Sequence, residues 1–156
     1  MKVALHGATG RMGQALVRLI HQAPDLELVG AVCGPDDPLQ SQDVGNLAGV
    51  GTVGIAATPD VSSGLLGAEV VIDFSSAKAI ATLVAHATRQ KVPLVCCTTG
   101  LDAAQEQLLK KAAETIPLLS AANTSLGIQV LAEIVEQAVK RLGAGYDVEI
   151  VEVHHR

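Results

Sequence analysis

Short apolar runs alternate with longer segments of helical periodicity along most of the chain. The apolar runs cover residues 3–5, 26–32, 70–74, 94–97 and 118–120. Between them, apolar residues recur every three or four positions, as around Leu16, Leu83 and Leu109, which places them on one face of a helix. Strands and helices that alternate in this way are typical of a parallel sheet covered by helices. The pattern therefore predicts an α/β fold with a doubly wound parallel sheet.

Residues 34–54 depart from this alternation. They contain prolines, aspartates and glycines without clear periodicity, so we expect a long surface loop with a short strand near residues 53–56. Elsewhere, individual residues indicate where helices begin and end. Pro24 cannot continue the first helix, and Asp102 opens a later helix as its N-cap, with Gln105 three residues on. These signals divide the chain into the expected strand and helix units.

The last part of the chain has a different pattern. From Ser125, apolar residues at helical spacing predict a long helix that a glycine ends. Over residues 147–153, polar and apolar residues largely alternate, as in a strand with one exposed face. We therefore expect one domain over residues 1–122 and the beginning of a second, α+β domain over residues 123–156.

Composition narrows the class of protein. The chain has 156 residues, of which 49% are hydrophobic, and its core must be aliphatic because it holds one Phe, one Tyr and no Trp. A formal net charge of −5 without a basic cluster argues against a nucleic-acid partner. No run reaches the roughly 18 apolar residues of a membrane helix. Cys33, Cys96 and Cys97 have neither disulfide nor zinc-site spacing, which favours a cytoplasmic protein without a structural metal.

A glycine-rich segment lies where the first predicted strand meets the first predicted helix. Gly7, Gly10 and Gly13 occupy this junction. Glycines there let the backbone turn tightly and approach a pyrophosphate held at the helix N-terminus. A turn that only needs a positive φ angle is the alternative, but the preceding strand and the amphipathic helix that follows favour the functional interpretation. We therefore predict a Rossmann-like dinucleotide site.

The sequence leaves the choice between the two nicotinamide coenzymes open. Sites of this type place an acidic residue about 20 positions beyond the glycines, where it binds the adenosine ribose. Residues 33–35 occupy that neighbourhood instead, and Asp36 and Asp37 follow slightly later. Arg11 is the one cation of the glycine loop that could hold the 2′-phosphate of NADPH. The sequence leans to NADH without excluding NADPH.

Five segments of the chain form an ordered set of motifs. They are residues 3–13, 71–75, 97–102, 121–127 and 149–156. Together they resemble the 4-hydroxy-tetrahydrodipicolinate reductase (dihydrodipicolinate reductase) family of bacterial diaminopimelate and lysine biosynthesis. The resemblance implies an oxidoreductase that uses NADH or NADPH to reduce a cyclic dicarboxylate, 4-hydroxy-tetrahydrodipicolinate, to tetrahydrodipicolinate. It also implies the homotetramer of the full-length family. By the same resemblance, residues 1–122 form the dinucleotide-binding domain and residues 123–156 form the incomplete start of the substrate-binding and oligomerisation domain.

The resemblance assigns roles to individual residues as well. His154 aligns with the family's proton donor, and His155 aligns with a residue that contacts a substrate carboxylate. An imidazole titrates close to neutral pH, which suits it to proton donation. The glycine loop would hold the pyrophosphate and adenosine side of the coenzyme, and later turns would hold the nicotinamide side. The residues implied to bind the coenzyme are Gly7, Gly10, Arg11, Met12, Gly13, Phe74, Ser75, Thr98, Thr99, Gly100, Ala122 and Asn123.

The chain also departs from the family pattern. In the family, the terminal motif continues to a lysine two residues after the arginine and then to a Gly-Thr turn, whereas this sequence ends at Arg156. Cys97 stands where the family usually has glycine, and Thr124 where it often has an aromatic residue. A reductase truncated in this way would lack a cation that stabilises developing negative charge. A non-catalytic dinucleotide-binding or sensing module is therefore the alternative function.

Two other enzyme classes fit less well. A short-chain dehydrogenase needs a lysine four residues after its tyrosine, but Ile150 follows Tyr146 at that spacing. An enzyme like semialdehyde dehydrogenase needs a reactive thiolate, for which Cys96 or Cys97 would serve, although buried cysteines at strand ends mostly pack. The histidines that we expect to be structural or exposed to solvent are His6, His21 and His86.

Overall fold

The computed structural model describes residues 1–151 and 153. The strands are β1 (Lys2–His6), β2 (Glu27–Val32), β3 (Val70–Asp73), β4 (Leu94–Cys96) and β5 (Leu118–Ser120). The α-helices are α1 (Arg11–Gln22), α2 (Val44–Ala48), α3 (Val61–Gly64), α4 (Ile80–Gln90), α5 (Ala103–Ala112) and α6 (Leu126–Leu142). Short 3₁₀ helices cover Ala77–Ala79 and Gly143–Gly145.

The chain divides into two compact units. Met1–Ala122 contains the sheet, and the second unit begins at Asn123. Within the described part of the chain, none of the helices combines the length and the apolarity that a bilayer crossing requires.

The five strands of the first unit form one parallel sheet in the order β2-β1-β3-β4-β5. This confirms the predicted α/β fold with a Rossmann-like, doubly wound sheet. The strand order reverses between β1 and β3, because the chain moves outward to β2 and then returns to the other side of β1. In open parallel sheets, ligands bind at such a reversal, beyond the carboxyl ends of the strands.

Two aliphatic clusters hold the sheet between its helices. Successive side chains of a strand point to opposite faces, so neighbouring residues of β1 belong to different clusters. Leu5 packs in one cluster with Val17 of α1, whereas Ala4 shares the other with Leu83 of α4 and Leu109 of α5. Each large aliphatic side chain buried in this way contributes roughly 1.5–3 kcal/mol. Packing on both faces of the sheet therefore holds the strands, and with them the residues at their ends, in place.

The surface loop predicted over residues 34–54 contains a short helix, α2, so that prediction is wrong in part. The carboxylate of Asp43 caps α2 by accepting hydrogen bonds from two backbone N–H groups of the helix, at 2.9 and 3.1 Å. The same carboxylate accepts from the N–H groups of Val53 at 3.2 Å and Gly54 at 2.7 Å. Val44 is buried beneath this turn. One aspartate thus ties both ends of the segment together.

Two further short elements differ from the sequence-based expectation. In place of the strand expected near residues 53–56, a single antiparallel bridge joins Asp43 and Ala56. Helix α3, which was not predicted, begins after Asp60, whose side chain caps it. An element of four or five residues is too short to show a hydrophobic period.

Replacement of Asp43 by alanine is expected to lower the Tm by a few degrees, because four backbone N–H groups lose their shared acceptor. Thermal unfolding followed by circular dichroism measures this. Glu114→Ala removes a carboxylate for which no side-chain hydrogen bond occurs among the described residues, and it should leave the Tm unchanged. Equal Tm values for the two variants would contradict the role of Asp43.

The same carboxylate makes stability depend on pH. Its partial burial acts to raise the pKa of Asp43, but the four backbone N–H donors outweigh this effect and lower the pKa below its ordinary value. Since the pKa is lower in the folded chain than in the unfolded one, the stabilisation is complete above about pH 4 and is lost as the pH falls further. The difference in Tm between the wild type and Asp43→Ala should therefore shrink on acidification.

The second unit contains α6. Ser125 Oγ accepts a hydrogen bond from the N–H of Ile128, and Gly143, with φ of 72°, ends the helix, as the sequence predicts. Residues 147–151 and 153 lie outside helices and strands, so the strand predicted over 147–153 is wrong for them. A strand requires a partner for its backbone hydrogen bonds, and none of the described residues pairs with this segment. The assignment of the second unit to a substrate domain stays a prediction.

Candidate functional site

A cavity of about 670 Å³ lies at the strand reversal, beyond the carboxyl ends of β1, β2 and β3. Its walls come from the glycine loop, from the segment after β2 and from the turn after β3. Among its lining residues are His6, Gly7, Thr9, Gly10, Cys33, Asp36, Asp37, Phe74, Ser75 and Lys78. The cavity is therefore at the place where a parallel sheet of this order binds its ligand.

Gly7 and Gly13 are required by close packing of the backbone. Gly7 has φ of +83°, and a Cβ atom there would lie 2.5 Å from the carbonyl oxygen of Phe74. A Cβ atom on Gly13 would lie 2.5 Å from the carbonyl oxygen of Ala8. The N–H groups of Gly7 and Ala8 donate to the carbonyl of Val32 at 2.9 and 3.0 Å. These contacts fix the loop between β1, β2 and α1.

Gly10 has a different role, because it is the N-cap of α1 and is exposed. A Cβ atom on Gly10 would be 3.4 Å from the carbonyl oxygen of Gly7, which the loop can accommodate. No side chain caps the N-terminus of α1, and its first turn holds no acidic residue. The first N–H groups of a helix without a cap attract an anion, and a phosphate is the best fit. The loop thus offers a cradle for a pyrophosphate.

Asp37 lies five residues after the end of β2 and is held against the glycine loop. One of its carboxylate oxygens accepts a hydrogen bond from Thr9 Oγ1 at 2.5 Å, and the other accepts from the N–H of Leu39 at 2.8 Å. Asp36 lines the same cavity but is exposed. Each oxygen of Asp37 retains a lone pair, so this carboxylate can accept hydrogen bonds from ligand hydroxyls. Among the cavity's lining residues, Lys78 is the one lysine or arginine.

A buried hydrogen-bond network lies below the cavity, centred on Asp73 at the end of β3. Asp73 is fully buried and accepts hydrogen bonds from His6 Nδ1 at 2.7 Å, Ser75 Oγ at 2.6 Å and Thr98 Oγ1 at 2.7 Å. Burial acts to raise the pKa of Asp73, but hydrogen bonds from His6, Ser75 and Thr98 outweigh it and lower that pKa. Asp73 is therefore an ionised carboxylate at neutral pH.

The sequence reasoning missed this network, since it treated His6 as structural or exposed to solvent and gave Asp73 no role. His6 is structural in that it binds Asp73, yet it also lines the cavity. The register of the sheet sets His6 opposite Asp73 and Asp73 opposite Cys96. A signal was present, because polar residues end two strands that are neighbours in a doubly wound sheet.

A second cavity, of about 420 Å³, lies beyond β4 and β5. Thr98, Thr99, Gly100 and Ala122, all predicted to bind the coenzyme, line it. Thr98 is buried, whereas Thr99 and Gly100 are exposed. The structure therefore groups these four residues, although the sequence places Ala122 far from the others.

The other predicted residues lie elsewhere. Arg11 and Met12 are exposed in the first turn of α1 and do not line either cavity. Asn123 belongs to the second unit, where its side-chain oxygen accepts a hydrogen bond from the N–H of Ser125 at 2.8 Å. The predicted proton donor His154 and the predicted substrate ligand His155 lie outside the described residues.

The cysteines are poor candidates for a nucleophile. Burial raises the pKa of the Cys96 thiol to about 11, and burial together with the nearby Asp73 raises that of Cys97. Burial and the nearby Asp37 also raise the pKa of the Cys33 thiol. A thiol becomes reactive when its pKa is lowered, so this arrangement disfavours the chemistry of a semialdehyde dehydrogenase. No group of three His, Cys, Asp or Glu side chains that could hold a metal occurs among the described residues.

Comparison with known proteins places these features in a family. Residues 1–124 match the family model for the N-terminus of dihydrodipicolinate reductase. The chain is 39% identical to a 4-hydroxy-tetrahydrodipicolinate reductase from Nitrosomonas eutropha. The alignment of 156 residues covers 100% of this chain and 58% of that protein. The chain is 43% identical to the reductase of an Anaeromyxobacter species, with the same two coverages. The chain thus spans little more than half the length of these relatives.

Solved structures share the fold at lower identity. A Gfo/Idh/MocA family oxidoreductase from Vibrio cholerae is similar with a TM-score of 0.61 and 23% identity, over 88% of this chain and 44% of that one. An oxidoreductase from Agrobacterium radiobacter, solved in complex with NAD+, L-tartaric acid and magnesium, has a TM-score of 0.59 and 21% identity over 88% of this chain and 40% of its own. The match of the family model over most of the chain shows that it belongs to the dihydrodipicolinate reductase family.

Proposed function

We propose that Met1–Ala122 binds a reduced nicotinamide dinucleotide, with the pyrophosphate at the N-terminus of α1. The observation that carries this proposal is the uncapped start of α1, which Gly10 leaves open beside a cavity of about 670 Å³ at the strand reversal. The residues present fit the coenzyme, because the glycine loop provides backbone donors for phosphate and Asp37 provides acceptors for ribose hydroxyls. Membership of the family supports the same assignment.

Under this proposal the coenzyme extends from the cavity at the strand reversal toward the cavity beyond β4 and β5. Gly7, Gly10 and Gly13 shape the backbone around the pyrophosphate, and Arg11 and Met12 lie beside it in the first turn of α1. The nicotinamide side would contact the two turns that follow β3 and β4, together with the segment that follows β5. The residues of Met1–Ala122 proposed there are Phe74, Ser75, Thr98, Thr99, Gly100 and Ala122, and Asn123, which the resemblance adds to them, follows Ala122 directly in the sequence.

We propose further that the whole protein is a 4-hydroxy-tetrahydrodipicolinate reductase, whose substrate is a small cyclic dicarboxylate. When bound, the reduced coenzyme supplies the hydride for this reduction. His154 would donate the proton and His155 would contact a substrate carboxylate. The similarity to the reductases of Nitrosomonas eutropha and the Anaeromyxobacter species supports this activity. Assembly as a homo-oligomer and a location in the cytoplasm belong to the same proposal, and the three free cysteines fit a reducing compartment.

Calorimetric titration of the full chain with NADH tests the dinucleotide site. We expect saturable binding of NADH to this chain. Oxidation of the bound NADH when 4-hydroxy-tetrahydrodipicolinate is added would assign catalysis to this chain as well. The absence of any saturable heat would overturn the dinucleotide site. Tight binding without substrate-dependent oxidation would retain that site and contradict catalysis by this chain.

NADH is expected to bind about tenfold more tightly than NADPH, because the carboxylate of Asp37 accepts from ribose hydroxyls and repels a 2′-phosphate. Asp37→Asn should bring the two affinities to within about threefold of each other, since the amide removes the repulsion. Asp25→Asn makes the same change of charge at an exposed position outside both cavities and should keep the preference for NADH. Equal affinities in the wild type would contradict this role of Asp37.

A further inference from the structure

Asp73 joins the ends of three neighbouring strands. Its Oδ1 accepts from Nδ1 of His6, the last residue of β1, and from Oγ of Ser75, which follows β3. Its Oδ2 accepts from Thr98 Oγ1, which follows β4, and lies 3.6 Å from the Cys96 sulfur. The backbone N–H of Ser75 also donates to Asp73 at 3.2 Å and to Thr98 Oγ1 at 3.1 Å. The turns after β3 and β4 are therefore tied to one carboxylate.

Burial of a charge is costly unless every lone pair finds a donor, and here the donors come from the walls of the two cavities. Ser75 lines the cavity at the strand reversal, and Thr98 lines the cavity beyond β4 and β5. An aliphatic side chain in place of Asp73 would also pack between these strands, but it would leave both hydroxyls without an acceptor. Packing alone therefore does not explain an aspartate at position 73, whereas the hydrogen bonds that hold the two cavity walls do.

The network also fixes the direction of each hydrogen bond. An ionised carboxylate only accepts, so Ser75 Oγ and Thr98 Oγ1 must both donate their protons to Asp73. Thr98 Oγ1 has a lone pair that accepts from the N–H of Ser75. The lone pairs of Ser75 Oγ stay available toward the cavity. Ser75 can therefore accept a hydrogen bond from a ligand but not donate one.

We propose that Asp73 is a positioning residue for the nicotinamide half of the coenzyme, which it serves by holding Ser75 as a hydrogen-bond acceptor and by fixing the Ser75 and Thr98 turns relative to each other. The proposal rests on the proposed function, because it presupposes a dinucleotide in the cavity. A ribose hydroxyl or a carboxamide N–H is the group that such an acceptor recognises. The adenosine half would lie at the glycine loop, where the N–H groups of Gly7 and Ala8 donate to Val32 rather than to Asp73.

Two ligands separate this role from a general role in stability. NADH contains both halves of the coenzyme, whereas ADP contains only the adenosine and pyrophosphate half. Asp73→Asn and Thr98→Val are each expected to weaken NADH binding about tenfold, which corresponds to the loss of one or two hydrogen bonds. ADP binding should change less than about twofold in both variants, because the glycine loop is unaffected. Calorimetry with the full chain measures both ligands.

Thr115→Val is the matched control, since it makes the same change at an exposed position outside both cavities. Thr98→Ser is the conservative rescue, since it retains the hydroxyl that donates to Asp73. Both should bind NADH within about twofold of the wild type. Where Asp73→Asn does not fold, the comparison of Thr98→Val with Thr98→Ser decides the question alone. Equal loss of NADH and ADP, wild-type NADH affinity in Thr98→Val, or loss of NADH in Thr98→Ser would each overturn the positioning role. If the wild type binds ADP and NADH equally well, only this inference falls, whereas a wild type that binds neither overturns the proposed function as well.

Discussion

Replacement of Gly10 by alanine is expected to weaken binding of NADH by about 100-fold while the chain stays folded, since two charge-assisted hydrogen bonds to a pyrophosphate contribute roughly 3 kcal/mol. The backbone of Gly10 has φ of −70° and ψ of 168°, which any residue adopts. The added methyl group would be 3.4 Å from the carbonyl oxygen of Gly7, so the loop retains its conformation. The methyl group would instead occupy the space that the phosphate needs above the helix start.

Calorimetry with NADH and thermal unfolding of the same samples measure the two effects of Gly10→Ala. Gly145→Ala is the control, because a Cβ atom there meets no atom within 4 Å and the residue lies outside both cavities. That control should bind NADH as the wild type does. Unchanged NADH affinity in Gly10→Ala would contradict a pyrophosphate at the start of α1.

Replacement of Gly13 by alanine is expected to cost about 3 kcal/mol of folding free energy, since it forces backbone atoms apart in a packed loop. The Cβ atom would lie 2.5 Å from the carbonyl oxygen of Ala8 and would also overlap that of Gly7. Both carbonyls belong to the backbone, and Gly7 is itself hydrogen-bonded to β2, so neither can move cheaply. The higher helix propensity of alanine returns only about 1 kcal/mol.

Urea unfolding of Gly13→Ala measures this cost. Gly127→Ala introduces the same methyl group into α6, where its nearest neighbour would be Ser125 Oγ at 3.8 Å. The helix propensity of alanine should make that control as stable as the wild type or more stable. A Gly13→Ala chain as stable as the wild type would show that the loop can open, and the glycine would then have no packing role.

The contrast between Gly10 and Gly13 is invisible in the sequence. Both belong to one glycine motif, and its position between a strand and a helix predicts a phosphate site. Which glycine faces the ligand and which packs against the backbone follows from distances across the loop. The two substitutions should therefore separate binding from stability.

Long periodic segments were predicted well because their burial pattern is local. The five strands of the sheet and the helices that contain Leu16, Leu83 and Leu109 all occur where their apolar residues predict them. The short helix α2 was missed because Asp43 stabilises it by joining Gly54 to the helix start, eleven residues away in sequence. The strand expected over residues 147–153 shows the opposite error, because alternation predicts a strand only where a neighbour pairs with it.

In the candidate site, too, some features could be predicted from the sequence and others depended on the tertiary structure. The pattern of the sequence identified the glycine loop and the acidic residues after β2, because each follows an apolar run directly or closely. The turns after β3 and β4 were identified by their resemblance to motifs of the family. Their assembly around a single carboxylate was decided by the tertiary structure. Only the parallel order of β1, β3 and β4 brings His6, Asp73 and Thr98 within hydrogen-bond distance. Local pattern determines which segments become strands, whereas strand order and register determine which strand ends meet, since those depend on contacts between residues far apart in the chain.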